Sequence, residues 1–147
     1  MFKAKKVSVA VATAVVLGSL VSPSADAAPK NQARAVVQAD WLEKNIDDPK
    51  VRIIEVSTEA GLYERGHIKN AFKINWYTDL VDTVKRDIVP IGKFNTLISK
   101  AGIDKDTTVV FYGDKNNWFA AWGAWIFNQY GIEDVRLLDG GRVKWEK

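Results

Sequence analysis

Cysteine is absent from this chain of 147 residues, and that absence excludes more than any motif in it. Without a thiol there is no disulfide framework, no zinc–thiolate site, no redox pair and no cysteine nucleophile. Charge of one sign is scarce as well: 21 Lys and Arg stand against 18 Asp and Glu. Three of those lysines and one Asp fall within the first 27 residues, so the other 120 (147 less 27) carry 18 against 17, a net of +1. With so little excess and no basic cluster, a nucleic-acid partner is not expected. A bilayer-spanning run is also missing. The apolar stretch Val7 to Val21 falls short of the roughly 20 residues a span requires.

That stretch has a different reading. Lys3, Lys5 and Lys6 precede it, and Ser22-Pro23-Ser24 and Ala25-Asp26-Ala27 follow it, the last with small residues at the first and third places. Basic, then apolar, then small-x-small is the order of a secretory signal peptide, here over 1–27 with the cut before Ala28. The expected mature protein, 28–147, is extracytoplasmic and keeps no stable membrane span. It is long enough for one domain with a core of its own. No cysteine lies near the cut, which excludes a lipid-anchored form.

After a polar lead-in, Ala28 to Arg34, short apolar runs alternate with helical patterns. Ala35 to Gln38 reads as a brief strand. Asp40 and Glu43 have capping-box spacing for a helix through about Asn45, which Asp47-Asp48-Pro49 ends. Val51 to Val56 is β-branched without a 3.6 period, a buried strand, and Ala71 to Asn75 is a weaker one. Ile91, Phe94, Leu97 and Ile98 mark a helix face closed by Gly102. Thr107 to Tyr112 is the clearest strand. Asn116 or Asn117 then caps a helix to Tyr130, with Trp118, Trp122, Trp125, Ile126 and Tyr130 as its apolar stripe. The stripe is read as core, with Trp118, at the loop–helix junction, as the exception that edges the vestigial pocket. Val135 to Leu138 is the last strand, Asp139-Gly140-Gly141 a tight turn, and a further helix starts there. The alternation predicts an α/β fold: one parallel sheet of about five strands with helices on both faces.

Four stretches resemble the rhodanese (sulfurtransferase) family. They are Ile53-Ile54-Glu55-Val56-Ser57; Gly66-His67-Ile68-Lys69-Asn70-Ala71, with Asn70 for the family's second Gly; Val109-Val110-Phe111-Tyr112; and Leu138-Asp139-Gly140-Gly141 with Trp145. The Trp-rich helix and the segment Trp76 to Pro90 resemble the N-terminal half of tandem-domain thiosulfate sulfurtransferases. By that resemblance the half is an inactive copy, and the nucleophilic cysteine belongs to a second, cysteine-bearing domain absent after Lys147.

The resemblance also implies where a nucleophile would stand, at the residue after the strand tyrosine. That residue is Gly113, which has no side chain to carry sulfur. Its loop, Gly113, Asp114, Lys115, Asn116, Asn117 and Trp118, is therefore the candidate site in vestigial form: no catalytic residue, no metal and no cofactor are expected. Backbone N–H groups running into a helix N-terminus suit an anion, but an ionised Asp114 turned inward would fill such a nest and repel one. His67, the only histidine, is read as a turn residue with its ring bonded to backbone. Glu55 is read as a partner for a loop amide or an Arg. The leading expectation is a structural half of an exported sulfurtransferase that helps shape the cleft where donor and acceptor meet. Two alternatives are a stand-alone module holding a small anion or a peptide on the same loop, and an inactive gene fragment.

Overall fold

A computed structural model of the chain describes residues 35–147; the expected signal peptide over 1–27 and the lead-in Ala28 to Arg34 lie outside the described residues. The elements run β1 (Val36–Val37), α1 (Ala39–Asn45), β2 (Val51–Glu55), α2 (Leu62–Arg65), β3 (Ala71–Lys73), α3 (Trp76–Asp79), β4 (Val81–Asp82), β5 (Asp87–Ile88), α4 (Ile91–Lys100), β6 (Thr108–Tyr112), α5 (Trp118–Gln129), β7 (Val135–Leu138) and α6 (Gly141–Trp145). Five strands form one parallel sheet, as expected, and their order is β1-β7-β6-β2-β3.

Strands β2 and β6 lie in the middle, paired from Val51 with Thr108 to Glu55 with Tyr112. Both faces there are covered, which is why these strands are apolar without a polar alternation. The pleat still sorts their side chains. Ile53, Val110 and Tyr112 join a core with Leu42 of α1 and Trp145 of α6; Ile54, Val109 and Phe111 join another with Phe94 of α4 and Phe127 of α5. The sheet is thus covered on both sides.

Boundaries depart from expectation where side-chain capping was assumed. Helix α1 starts after Gln38, which gives no side-chain cap; Asp40 lies inside the first turn, so the capping box does not form. Gly102, with φ 65°, closes α4 as expected: its N–H reaches Ser99 O and that of Ile103 reaches Ile98 O. Strand β3 ends at Lys73, because the Asn75 side chain caps α3 by accepting from the N–H groups of Tyr77 and Thr78. The segment to Pro90 holds an element with no periodic signal, the antiparallel pair β4–β5.

Candidate functional site

Parallel strands bring all their carboxyl ends to one edge of the sheet, where α/β folds place their sites. Three loops meet there, after β2, β6 and β7. Val56 N–H donates to Tyr112 O at 2.9 Å, and Arg142 N–H donates to Gly113 O at 3.1 Å. Asn117 ties the loops together: its Oδ1 accepts from Gly113 N–H at 3.0 Å, and its Nδ2 donates to Leu138 O at 2.7 Å. Asn117 precedes α5 as expected, but its side chain serves the neighbouring loops and does not cap the helix.

Gly113 has no room for a side chain. A Cβ there would lie 2.2 Å from Val56 O, because the ends of β2 and β6 converge at this point. Glycine is therefore required by close backbone approach. Lys115, Asn116 and Asn117 follow with φ of 48°, 54° and 62°, three consecutive left-handed residues, a conformation that asparagine tolerates better than most.

Asp114 is buried but does not turn into its own loop, so the condition under which it would fill a nest there is not met. Its carboxylate crosses to the turn after β2 and accepts from the N–H of Thr58 at 3.0 Å and of Glu59 at 2.9 Å. Three of the loop's own donors are spent locally: Gly113 N–H on Asn117, Asn117 N–H on Asp114 O, and Trp118 N–H on Lys115 O.

Below the loop lies a polar cluster that the sequence did not reveal. Glu55, fully buried at the end of β2, accepts from Ser57 Oγ at 2.7 Å, Arg142 Nη1 at 3.1 Å and the Tyr112 hydroxyl. Arg142 also donates to Gly66 O, and its Nε lies 2.8 Å from Glu146 Oε1, with its N–H not aimed at that oxygen. The Tyr112 hydroxyl accepts from Ile68 N–H. Burial first, then the bond to Glu55, pushes the Tyr112 hydroxyl well above its ordinary pKa. Glu55 was placed from sequence as a partner for a loop amide or an Arg; it takes an Arg, but nothing marked Arg142, 87 residues away, as that Arg.

His67 stands at the rim of a cleft of about 550 Å³ lined also by Arg65, Arg142 and Trp145; none of residues 113–118 lines it. Its ring stacks on Tyr63 at 3.8 Å, and Nδ1 donates to Tyr63 O at 2.9 Å. Asn70, in place of a glycine, takes φ 64° and holds the turn by donating to Ile46 O. Gly140 and Gly141 make a left-handed turn packed on the loop, where a Cβ on Gly141 would meet Asn117 Oδ1 at 2.2 Å.

The expected core stripe of α5 holds for Ile126, which is buried, and for Tyr130, which packs against the core, but it is overturned at Trp122 and Trp125. These two are 39% and 45% exposed and Trp118, the expected exception, is 74% exposed, while the helix buries Ala120, Gly123, Ala124 and Phe127 beside Ile126. Gly123 shows the reason: a Cβ there would lie 2.9 Å from Phe111 Cε1. The helix sits so close to the sheet that small residues must face it, and the indoles are left outside. Among the described residues, no helix is long and apolar enough to cross a membrane.

The model of the Rhodanese-like domain matches residues 38–147. A Mycobacterium tuberculosis protein, provisionally named a thiosulfate sulfurtransferase, is 51% identical over 111 residues, 76% of this chain and 40% of the relative. A sulfur carrier protein of Thermus thermophilus is 49% identical over 110 residues, 75% of this chain and 39% of its own length. Among solved structures, the 3-mercaptopyruvate sulfotransferase SseA of Escherichia coli superposes with a TM-score of 0.67 at 27% identity, covering 77% of this chain and 47% of that one. The chain thus spans about two fifths of the length of the curated relatives it matches.

Proposed function

The chain belongs to the rhodanese-like domain family, and from that membership we propose that it is the noncatalytic N-terminal half of an exported thiosulfate sulfurtransferase. In the proposed reaction a cysteine thiolate of the second domain attacks the outer sulfur of thiosulfate. The S–S bond of the donor breaks, sulfite leaves with the electron pair, and the resulting persulfide passes its sulfur to a thiophilic acceptor. The half described here supplies no atom to that exchange. Its part is structural, to pack against the second domain and help form one wall of the cleft.

The observation that carries this reading is the glycine at the end of β6. The strand tyrosine is in place, but the next position has neither a thiol nor space for one. Thiolate chemistry needs a thiolate, and with no cysteine in the sequence nothing else substitutes. The length of the relatives beyond the match supports a second domain. Export rests on the basic, apolar and small-residue order of residues 1–27. For the anion-module alternative, the N–H groups of Gly113, Asn117 and Trp118 are not free, because each already has a partner.

The test uses the native protein purified from outside the cytoplasm. Its first residue is expected at or next to Ala28, whereas residues 28–147 purified alone are expected to form no thiocyanate from thiosulfate and cyanide above the buffer rate. Thiocyanate that scales with protein through further purification would refute the noncatalytic assignment. A retained Met1 on soluble cytoplasmic protein would refute export.

A further inference from the structure

Helix α5 is apolar on both sides. Its twelve residues include no charged side chain. One side is in the core. The other shows Trp118, Ala121, Trp122 and Trp125 to solvent, with spacings of three and four that make one continuous stripe. A surface helix ordinarily sets charged and polar residues opposite its core face, whereas a helix apolar all round is one that is buried. Scattered exposed apolar residues need no explanation, but contiguous ones do. These are contiguous: the rings of Trp122 and Trp125 lie 5.0 Å apart. Trp118 and Trp122 also join Trp76, Val81 and Phe119 around a groove of about 150 Å³.

We propose that this face, Trp118, Trp122 and Trp125 with the groove beside Trp76, is the docking surface for the second domain of the full-length protein. The proposal rests on the reading of the chain as one half of a tandem protein, and it adds which surface joins the halves. Three observations favour that occupant. The relatives devote 100 less 40, or 60%, of their length to chain outside the match, enough for a domain at least as large as this one. The face begins at Trp118, the last residue of the candidate loop, so a domain seated on it also borders that loop. Its size fits too. At up to about 250 Å² per aromatic side chain the three indoles leave on the order of 400 Å² open, within the one-sided area of an interdomain contact of about 600–1,500 Å² in total. Aromatic residues, tryptophan above all, are the side chains that dominate such contacts.

The decisive experiment grafts residues 28–147 in place of the matched stretch of the Mycobacterium tuberculosis relative and compares oxidative footprints of the graft and of this chain alone. Trp118, Trp122 and Trp125 are expected to be oxidised at least about fivefold more slowly in the graft, with Trp41, on α1 against the other core, unchanged. If the graft unfolds as one unit and the three indoles oxidise as fast as in the chain alone, the docking surface is wrong while the tandem reading stands. If the two parts unfold independently with no protection anywhere, both fail.

A second measurement needs no graft. Trp122→Glu with Trp125→Glu in this chain should leave the far-UV spectrum and thermal midpoint nearly unchanged, because neither residue supports the core. Loss of the fold would show the indoles to be core and overturn the proposal. Sedimentation of the unaltered chain completes it. A monomer is expected, and a dimer dispersed by the same two substitutions would give the face to a second copy and overturn it equally.

Discussion

Replacing Glu55 tests the account of what holds the sheet edge together. The side chain is fully buried, and its two oxygens serve Ser57, Arg142 and Tyr112. In Glu55→Met the volume is kept and all three donors lose their acceptor. Arg142, whose side chain is only 9% exposed, is left with Gly66 O and the half-exposed Glu146. Removing one partner of a buried ion pair costs about 3–5 kcal/mol, because the remaining charge stays desolvated. Glu146 offsets part of that, so the lower half of the range is expected. Glu55→Gln keeps one acceptor oxygen and should cost less, about 1–3 kcal/mol. The informative variant is the double one, Glu55→Met with Arg142→Met. With both charges gone, no buried charge is stranded, and the loss should be smaller than for Glu55→Met alone. Urea unfolding followed by tryptophan emission and far-UV dichroism reads this. With a slope of about 2 kcal/mol per molar, a 3 kcal/mol loss moves the midpoint by about 1.5 M. A single Glu55→Met within about 0.5 kcal/mol of the parent would be the cost of an ordinary surface change. That result, or a double variant at the sum of the two singles, would refute the reasoning.

Two further outcomes are expected. Asp114→Ala should release the turn after β2, since the N–H groups of Thr58 and Glu59 lose their acceptor; the cost is about 1–3 kcal/mol, and unchanged hydrogen exchange at those two amides would contradict it. Asp104, held below its ordinary 3.8 by the Thr107 hydroxyl and then the Asp106 N–H, and Asp139, held low by Lys144, contribute stability that is present above that pKa and lost as pH falls through the lowered one. The thermal midpoint should therefore hold at mildly acid pH and decline below 3.8, and a midpoint flat through that range would count against these contacts.

The sequence made the sheet readable because burial on both faces removes the polar alternation from β2 and β6 and leaves β-branched runs with no competing period. Helix α4 was readable for the opposite reason, since it packs Phe94, Leu97 and Ile98 on the core, though Ile91 of the expected face is exposed, and it ends in a glycine that the left-handed closure requires. What escaped are contacts between distant parts of the chain. Asp40 matched a capping spacing, yet the N-cap is Gln38, two residues earlier. Arg142 sits among ordinary turn and helix residues, and only the fold brings it to Glu55. The candidate loop was located by its place after Tyr112, whereas the direction of Asp114 was not, because that depends on where the turn after β2 presents its N–H groups.

Helix α5 marks the limit most clearly. Periodicity shows that a helix has an apolar stripe, and it selects a face only when the other face is polar. Here two apolar stripes run side by side, one of tryptophans and one of alanine, glycine, isoleucine and phenylalanine. Side-chain size suggests that the tryptophans face the core, and in this fold that is the wrong choice. Phe111 rises from β6 directly under Gly123, so the helix can approach the sheet only along its smallest residues. Close approach excludes the indoles from the interior, and the absence of charge around them leaves their outer face unsuited to water. The constraint that fills one core thus creates an apolar face on the other side of the same helix. In a helix whose small residues sit three and four apart between tryptophans, that pairing is itself a signal: the small stripe marks the face toward the sheet, and the large one the face turned away from it.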